Sequence, residues 1–599
     1  MKKNLSVFFI FFTLFFDFSF ITAQEKPFTN DQKIWSVDCE EIKILRYLFI
    51  ATGHALPSST GPWNTDEMKL MLSKLDGEEA LNTEYLNSLY DKIYSTLYKN
   101  PKFILENDLA IDLNLAANPE IYVHTNKTDF TSETDWAKGF EERADFLDID
   151  FSFLFAKHFY IDLKLPLQYV PFDSFYTPQF MSNFPGITPE NLSLISINFP
   201  TRAIMAFGGN HWSFSFGRDK IRFGNGESGN LTLGGNQIYD NHIRFATFFD
   251  KFKFSAVAIF YPHYYPESEE EEKLNQNDVI SGLKMYLNHR LEGRFFSDRL
   301  DVILSESIMY QSADGSLDVS VFNPAGIFHN YYIRGNANSI MNIDVDFAIT
   351  KHLNLYGQVA IDDLVVPGDT TSSSAWWRPN KMGFLLGIKG IQPIFNGFLT
   401  FAAEGVYTDP YLYLREKYNS TTGQYGVSFY GDLRYFNSKN GYEIHYLNQC
   451  LGYKYGGDCI TGTLKAKYQD KNNWYCSAEV FYMAHGIMTV NYLNKDQITG
   501  KADLSPSTED KTGTVTDKDS VQHLFRASFE GVNNVDILPT FFLLGVQHLF
   551  RASFEGGYQL YSWLSFYASA DNIFVWNKGN VTKDMVYDLQ FCLGSKITW

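Results

Sequence analysis

Residues 341–363 read MNIDVDFAITKHLNLYGQVAIDD, and their side chains alternate between apolar and mainly polar over two consecutive runs. Met341 and Ile343 fall on one face of the first run, whereas Asn342 and Asp344 fall on the other. Successive side chains of a β-strand point to opposite faces of its sheet. The sequence therefore predicts two neighbouring strands here, each with one apolar and one polar face.

The same period of two recurs along the chain from about Leu109 onward. It is found in residues 147–155, 161–169, 353–361, 427–435 and 589–599. Alternation alone also suits a soluble antiparallel sheet. Two features favour a membrane-spanning barrel. The runs are about ten residues long, which is the length that a tilted span requires. Many of them also end in Tyr, Phe or Trp, which suits the aromatic girdles of such barrels.

The C-terminal run ends in the aromatic residue Trp599. A last strand of this kind resembles the signal that outer-membrane barrels present to their assembly machinery. We therefore expect that machinery to be a partner of this chain, and the lipid of the outer membrane of a diderm bacterium to surround it.

The composition agrees with a barrel. Hydrophobic residues make up 45% of the chain and aromatic residues 17%, yet the mean hydropathy is −0.21. Half of the strand residues of a membrane barrel face lipid and half face a wet lumen, which reconciles these values. The sequence predicts an all-β fold over residues 109–599, a transmembrane antiparallel β-barrel of about 16 to 20 strands, with 18 as the best estimate.

The N-terminus has the pattern of a secretory signal peptide over residues 1–23. Lys2 and Lys3 precede an apolar run that ends at the small residue Ala23. We expect cleavage after Ala23. The alternative is a short transmembrane helix, but Asp17 interrupts the run, and the run is short for a span of about 20 residues.

Residues 24–108 show helical spacing instead of alternation and predict a small α-helical domain. One helix is expected over residues 39–50, and a second is expected to start at Asn64 or Thr65, whose side chains can cap it. A third carries an apolar stripe from Leu81 to Leu97 and should close at Lys99 or Asn100. We interpret this region as a periplasmic domain that precedes the barrel; the alternative is that the helices plug or cover the barrel.

Net charge and motifs exclude several functions. The chain has 50 Lys and Arg against 69 Asp and Glu, a net charge of −19 that argues against a nucleic-acid partner. No zinc-binding His-Glu-x-x-His, nucleophile elbow or phosphate-binding loop occurs. We therefore predict no catalytic activity and no cofactor. The five cysteines lack metal-ligand spacing, and Cys450 and Cys459 could form a disulfide in an exported protein.

Eleven residues occur twice, since VQHLFRASFEG is found at 521–531 and again at 546–556. No other pair of strands matches in this way, so we interpret the copy as a local duplication and not as a repeat architecture.

Residues 262–277, 368–379 and 496–519 are expected to be loops. The first contains Glu269, Glu270, Glu271 and Glu272. This run is either a solvated acidic loop or a clamp for a divalent cation, because clustered carboxylates supply hard oxygen ligands.

Residues 212–244, WSFSFGRDKIRFGNGESGNLTLGGNQIYDNHIR, carry the most specific motif. The stretch resembles the motif of Wzi-type capsule-assembly proteins, in which a strand ends in Gly-Arg and a Gly-rich turn leads to Gly-x-Leu-x-Leu. The matching residues are Gly217, Arg218, Phe223, Gly224, Gly226, Gly229, Leu231 and Leu233. The family often has Trp and Pro in the turn, where this chain has Phe223 and Asn225.

Two further stretches support the resemblance. Asn323 and Pro324 precede a strand that leads to Asp362 and Asp363, and residues 55–76 resemble the family's helical preface. The resemblance implies an outer-membrane lectin that holds capsular polysaccharide at the cell surface. It also implies a barrel of about eighteen strands with a helical domain on the periplasmic side.

Two groups of residues are candidates for ligand binding. Trp376 and Trp377, beside Arg378, would form a stacking platform with a cation for acidic sugars; alternatively, both Trp residues belong to the interfacial aromatic girdle. The second group is Arg218, Lys220 and Arg222.

These three cations alternate and are expected to share one face, directed toward the lumen. There they either pair with lumenal acids or guide an anionic polymer or solute. The first functional hypothesis is therefore a polysaccharide-binding barrel, the second is a porin or solute transporter with these cations in its lumen, and an enzyme is the third.

Overall fold

The structure is a computed structural model. It describes residues 28–599 apart from 79–80, 82, 132–134, 140–141, 170–179, 184–194, 197–199, 262–282, 313–316, 318–321, 324–336, 365–380, 415–427, 438–442, 487–545 and 579–584. The predicted signal peptide, all three predicted loops and the first copy of the eleven-residue repeat lie outside the described residues.

The N-terminal region contains three helices and a pair of two-residue strands. The helices are α1 (Glu40–Thr52), α2 (Thr65–Ser73) and α3 (Glu84–Leu97), and the strands are β1 (Ile34–Trp35) and β2 (Trp63–Asn64). All three predicted helices are thus present. None of the helices in the described part of the chain is both long enough and apolar enough to cross a membrane.

Local chemistry sets the helix ends. The Asn64 side chain accepts a hydrogen bond from the Glu67 N–H, which caps α2 as its sequence predicts. The α1 helix ends at Gly53 with a positive φ of 83°. The α3 helix ends at Leu97, before the predicted end at Lys99 or Asn100, because Tyr98 leaves the helical conformation.

Thirteen strands of the main sheet lie in the first half of the chain. They are β3 (Phe103–Glu106), β4 (Leu109–Ala117), β5 (Glu120–His124), β6 (Leu147–Phe155), β7 (Phe159–Tyr169), β8 (Phe180–Ser182), β9 (Ile195–Ser196), β10 (Arg202–Gly209), β11 (Trp212–Asp219), β12 (Asp240–Phe248), β13 (Phe252–Tyr261), β14 (Leu283–Phe295) and β15 (Leu300–Ser312).

Eleven further strands lie in the second half of the chain, and two of them, β20 and β21, form a separate sheet. They are β16 (Ala337–Thr350), β17 (Leu353–Asp363), β18 (Lys381–Ile394), β19 (Gly397–Thr408), β20 (Tyr430–Asn437), β21 (Glu443–Cys450), β22 (Cys459–Asp470), β23 (Trp474–His485), β24 (Gln547–Tyr561), β25 (Leu564–Trp576) and β26 (Val586–Thr598).

Twenty-two strands form one antiparallel sheet that closes on itself. Four of them, β3, β5, β8 and β9, are short additions to the wall, and the other eighteen follow one another around the ring. The prediction of an eighteen-stranded transmembrane β-barrel is therefore confirmed. The prediction of a strand at 427–435 corresponds to β20, but this strand pairs only with β21 in a separate two-stranded sheet.

The faces of the strands confirm that the barrel is apolar outside and polar inside. On β16, Met341 and Val345 are 48% and 39% exposed, whereas Asn342 and Asp344 are 2% and 5% exposed. A soluble sheet would bury its apolar face. Lipid is the environment in which this exposed surface is stable.

The two ends of the barrel differ. At one end nine hairpins, such as β16–β17 and β24–β25, have turns of two to four residues, whereas the connections at the other end are longer. The helical region lies at the end with the short turns, where the Lys74 ammonium is 2.7 Å from Asp250 and 3.2 Å from Asp298, which lie in two of the turns.

The ring closes where β26 meets β4 and β5, through two residue pairs and five residue pairs respectively. Asp588 of β26 is fully buried at this seam and accepts hydrogen bonds from the backbone N–H groups of Thr125 (3.0 Å) and Asn126 (2.7 Å). It also accepts from the Gln590 amide at 2.9 Å. The seam thus has few ladder pairs and a buried carboxylate that holds the two sides together.

Candidate functional site

Residues 220–239, which join β11 to β12, fold into the lumen, and we call them the inner plug. Phe223, Leu231 and Leu233 are buried there in one apolar cluster with Tyr286 and Leu385 of the barrel wall. This cluster fills the middle of the lumen. The Gly-rich motif of the sequence is therefore the start of the inner plug.

The motif glycines allow the chain to leave the wall. Gly217 has a φ of +128°, and a Cβ atom there would lie 2.2 Å from a backbone oxygen of β10. Gly224 has a φ of +113°, and its Cβ would meet the Gln358 amide at 2.1 Å. Both positions exclude a side chain. Gly226 and Gly229 approach each other so closely that a Cβ on Gly226 would lie 1.8 Å from the Gly229 oxygen.

Glu404 of β19 binds the tip of the inner plug. Its buried carboxylate accepts hydrogen bonds from the backbone N–H groups of Glu227 at 2.7 Å and Ser228 at 2.8 Å. The Ser228 hydroxyl also donates to it, and so does the Tyr356 hydroxyl at 2.8 Å. Four donors to one carboxylate fix the plug in place, because charge-assisted hydrogen bonds are the stronger kind.

A second inward segment lies between β19 and β22. In its described part Leu412, Tyr413 and Tyr453 are fully buried in the same cluster, and the Tyr413 hydroxyl donates to the Leu231 oxygen at 2.8 Å. Cys450 and Cys459 are buried beside it, and they are not joined by the disulfide that the sequence allows.

The N-terminal region also enters the lumen, through residues 54–64, which we call the lumenal arm. The Ser58 hydroxyl donates to Glu292 at 2.8 Å, and the Arg290 guanidinium donates to the Thr60 hydroxyl at 2.7 Å. Both partners lie on β14. The helical region and the barrel are therefore joined by buried polar contacts, while the domain boundaries at 23 and 108 stay predictions.

The lumenal arm fills one side of the lumen only. On the side that it covers, the side chains of Lys253 and Arg290 are 5% and 0% exposed. On the wall of β22 and β23, the side chains of Lys465 and Glu479 are 41% and 24% exposed. Among the described residues, no hydrogen bond or ion pair joins residues 28–100 to β23, β24 or β25. At the level of Lys465 and Glu479 this wall is the open side of the lumen, whereas nearer the long connections Phe481 of β23 and Ile573 of β25 belong to the apolar cluster.

The inner wall carries a four-residue arrangement that occurs three times. In the first, Tyr356 lies flat over Gly387, its partner on the neighbouring strand, where a Cβ would be 2.4 Å from the ring. The Lys389 ammonium lies over the ring at 4.7 Å from its centroid. The hydroxyl donates to Glu404 at 2.8 Å.

The second arrangement consists of Tyr475, Gly557, Lys467 and Glu555. Tyr475 pairs in register with Gly557, and a Cβ there would lie 2.4 Å from the ring. The Lys467 ammonium is 4.4 Å from the ring centroid, and the Tyr475 hydroxyl donates to Glu555 at 2.7 Å.

The third arrangement consists of Tyr567, Gly594, Lys138 and Glu120. Tyr567 pairs in register with Gly594, where a Cβ would lie 2.3 Å from the ring. The Lys138 ammonium is 5.1 Å from the ring centroid, and the Tyr567 hydroxyl donates to Glu120 at 2.5 Å. Each arrangement combines a cation–π contact with a charge-assisted hydrogen bond. We call them lysine–tyrosine units. In the first two units the lysine and the glutamate lie on wall strands, whereas in the third Lys138 belongs to the segment between β5 and β6 and is 3.3 Å from Glu120 of the same unit.

The three alternating cations do not act as one group. Arg218 pairs in register with Asn241, donates to its side chain at 3.0 Å and lies 3.9 Å over the Tyr239 ring. Lys220 and Arg222 instead bind Asp38, with nitrogen-to-oxygen distances of 3.2 Å and 2.6 Å.

Arg218 is on the face of β11 that also carries Phe216, which is exposed on the outside of the barrel. Its partner on β12, Asn241, shares a face with the exposed Ile243. The expectation that all three cations share one lumenal face therefore does not hold at Arg218, because alternation continues only to the end of β11.

Lys220 and Arg222 belong to the inner plug and pair with an acid, which is one of the two alternatives that the sequence left open. Burial acts to raise the pKa of Asp38, but the charges of Lys220 and Arg222 outweigh it and hold that pKa well below its ordinary value. These two ion pairs join the plug to Asp38, which lies two residues before the start of α1. A role for these cations in ligand binding stays a prediction.

Asp362 and Asp363 end β17. Asp362 is buried on the lumenal face, and its carboxylate is 3.4 Å from the Asn338 amide, whereas Asp363 forms an ion pair of 3.0 Å with Lys381. Both therefore take part in structural contacts near the base of the long connections.

Trp376, Trp377 and Arg378 lie outside the described residues, as do Glu269, Glu270, Glu271 and Glu272. Across the ranges that the structure does describe, no group of three or more His, Cys, Asp or Glu side chains is placed to hold a metal ion.

No protein-family model matches the chain, and no curated protein matches it. Among solved structures, its fold is similar to that of Wzi from Escherichia coli, an outer membrane protein involved in group 1 capsule assembly and described as a carbohydrate-binding β-barrel. The two chains are 13% identical, with 94% of this chain and 99% of Wzi covered and a TM-score of 0.51.

Two further solved structures match with lower scores. The outer membrane channel DcaP of Acinetobacter baumannii is 8% identical, over 83% of this chain and all of DcaP, with a TM-score of 0.34. OccD3 of Pseudomonas aeruginosa is 9% identical, over 82% of this chain and 91% of OccD3, with a TM-score of 0.37. At such identities the similarity concerns the fold alone.

The sequence reasoning missed Glu404 and the lysine–tyrosine units. Each unit takes residues from three strands and depends on the register that brings a glycine opposite a tyrosine. A single sequence offers one weak signal for them, which is a glycine on the polar face of a strand.

Proposed function

We propose that this chain is an outer-membrane lectin, which binds surface polysaccharide and retains it at the cell surface without catalysis. The observation that supports this most is the filled lumen. The inner plug and the segment between β19 and β22 meet in one apolar cluster in the middle of the barrel. A porin needs a continuous aqueous path through that level.

The similarity in fold to Wzi supports the same proposal, because that protein is described as a carbohydrate-binding barrel. The partners that follow are the lipid of the outer membrane and the surface polysaccharide of the same bacterium. The helical region would face the periplasm, since barrels of this class have short turns on their periplasmic side.

Conductance in a planar lipid bilayer tests the proposal against the channel alternative. We expect the purified, folded protein to give no steady open-channel current, and to bind polysaccharide extracted from the surface of its own bacterium. A well-behaved porin reconstituted in parallel controls for insertion. Steady current through the unaltered protein, together with no binding of the polysaccharide, would overturn the proposal in favour of a porin or transporter.

A further inference from the structure

Arg244 of β12 is a buried cation without a contact partner. It belongs to the inward face of its strand and is 1% exposed. Among the described residues, no carboxylate lies within 4.0 Å of it, and its Nε and Nη2 atoms donate no hydrogen bond. A buried charge without a partner is unstable, because it loses its hydration and receives no compensating contact. A guanidinium cannot escape this cost by losing its proton.

The side chains around Arg244 are small. Ser215 is its direct partner on β11, and Ser213 follows on the same face; both are at most 1% exposed. Ser215 pairs on its other side with Ala206, and Ser213 pairs with Ala246. Directly opposite residues of an antiparallel pair have Cβ atoms about 4.5–5.5 Å apart. The guanidinium therefore has short side chains beside it, which leaves space for a small ligand.

The two serines have no partner either. The hydroxyl groups of Ser213 and Ser215, like Nε and Nη2 of Arg244, make no hydrogen bond within the described part of the chain. A guanidinium can only donate, and a serine hydroxyl can donate its one proton. Four donor groups thus share the inward face of two paired strands. The ligand that suits them best accepts hydrogen bonds and carries a negative charge.

Two acids act on Arg244 from a distance but do not bind it. Glu67 and Asp219 are carboxylates whose charges reach Arg244. The Glu67 carboxylate is 2.5 Å from the Lys253 ammonium. The Asp219 carboxylate is 3.2 Å from the Arg202 guanidinium. Each acid is therefore held by another cation, and the donors of Arg244 remain available to a ligand.

The N-terminal region covers this part of the wall from the lumen. Gln32 is fully buried and lies over Gly208, where a Cβ atom would be 2.8 Å from the Gln32 Oε1 atom. Gly208 pairs in register with Ser213. The Asn64 amide donates to Gln32 at 3.3 Å, which connects this cover to the cap of α2. A ligand beside Ser213 would therefore be held between the wall and the helical region.

We propose that Arg244, Ser213 and Ser215 form a binding site for a monatomic anion, which is chloride under physiological conditions. Chloride accepts hydrogen bonds from every side, whereas an oxyanion would need donors for two or more separate oxygen atoms. A bound chloride would give Arg244 the contact partner that Lys253 and Arg202 have. This site goes beyond the proposed function and does not depend on whether the barrel binds polysaccharide.

Bromide in place of chloride tests the position of the site. In crystals of the full chain grown in sodium bromide, we expect an anomalous peak in contact with Arg244 and Ser215. Crystals of Arg244→Met should lack this peak. Density at the site without an anomalous signal would identify a water molecule and would overturn the proposal, and so would bromide peaks found only elsewhere.

Thermal unfolding in detergent measures the effect of the anion on stability. The midpoint should rise by about 1–2 °C for each tenfold increase in chloride above its dissociation constant, with sodium gluconate keeping the ionic strength constant. Ser215→Ala should need about threefold to tenfold more chloride for the same rise, because one neutral hydrogen bond is lost. Arg244→Met should show no rise.

Arg299→Gln is the matched control, because it removes a guanidinium that donates to the backbone oxygens of Ala348 and Ile349 at an exposed turn. It should keep the chloride response of the unaltered protein. Equal midpoints of the unaltered protein in chloride and in gluconate would overturn the proposal, and so would an unchanged chloride response in folded Arg244→Met. If Arg244→Met does not fold, an unchanged response in Ser215→Ala overturns it instead.

Discussion

The Tyr356 hydroxyl donates a hydrogen bond of 2.8 Å to the Glu404 carboxylate, although β18 lies between the strands that carry them. The tyrosine can reach across because its partner on β18 is Gly387, which leaves space for the ring. One glycine thus permits the contact that completes the binding of the inner plug.

Gly387→Ala should destabilise the barrel. The added Cβ would lie 2.4 Å from the Tyr356 ring, so the ring must move and its bond to Glu404 must weaken. Overpacking of this kind costs about 1–3 kcal/mol. The measurement is the temperature at which the folded band disappears in gel electrophoresis. Gly462→Ala, where the added Cβ has no neighbour within 4 Å, should leave that temperature nearly unchanged.

Glu404→Gln should loosen the inner plug. The amide cannot accept from all four donors that the carboxylate serves, and each charge-assisted hydrogen bond contributes about 1.5–3 kcal/mol. We expect brief current openings in a planar bilayer where the unaltered protein is silent, and new protease cleavage within residues 224–231. Tyr356→Phe, which removes one donor and keeps the carboxylate, should give a smaller effect; equal silence of both variants would contradict the role of Glu404.

Asp588→Asn should weaken the seam of the barrel. Asp588 accepts from Thr125, Asn126 and Gln590 at a junction where β26 forms only seven residue pairs with β4 and β5. An asparagine presents one acceptor in place of two. The loss should be about 1–3 kcal/mol, read as earlier unfolding in urea. Asp571→Asn, on the neighbouring strand and bound to a single serine, should lose less.

Acid should detach the helical region from the turns. Burial acts to raise the pKa of Asp298, but the hydrogen bond from Lys251 and the charges of Lys74 and Arg294 lower it overall. A lowered pKa contributes stability that is present above the ordinary Asp value and lost as the pH falls below it. We therefore expect hydrogen exchange of α2 to accelerate below about pH 4.

Lys74→Ala should produce the same acceleration at neutral pH, because it removes the ion pairs to Asp250 and Asp298. Lys92→Ala is the control, since its ion pair with Glu40 is exposed and such pairs contribute little. Unchanged exchange in Lys74→Ala would show that other contacts hold the helical region.

The barrel could be predicted from sequence because its pattern is local. Met341 and Asn342 show the two faces of β16 without knowledge of any other strand, and Asn64 marks the start of α2 by its own side chain. Run length and chain length then give the number of strands. The same local pattern misled at β20, where alternation exists but the strand belongs to the separate pair with β21.

The candidate site could not be predicted because its contacts are long-range. Glu404 and Ser228 are 176 residues apart in the chain, and only the closed ring brings them together. The Gly-rich stretch was recognised as a motif, but the direction in which it leaves the wall depends on Gly217 and Gly224, whose conformations no single sequence shows.

The uneven filling of the lumen has a consequence for the evolution of this chain. Lys253, Arg290 and Glu292 of β13 and β14 hydrogen-bond to the lumenal arm, so a change at Glu292 should survive in related sequences only with a compensating change at Ser58 or Thr60. Among the described residues, the inward side chains of β22–β25 have no hydrogen bond or ion pair with the lumenal arm. That part of the wall can therefore change its side chains independently of the arm while the rest of the barrel stays constant.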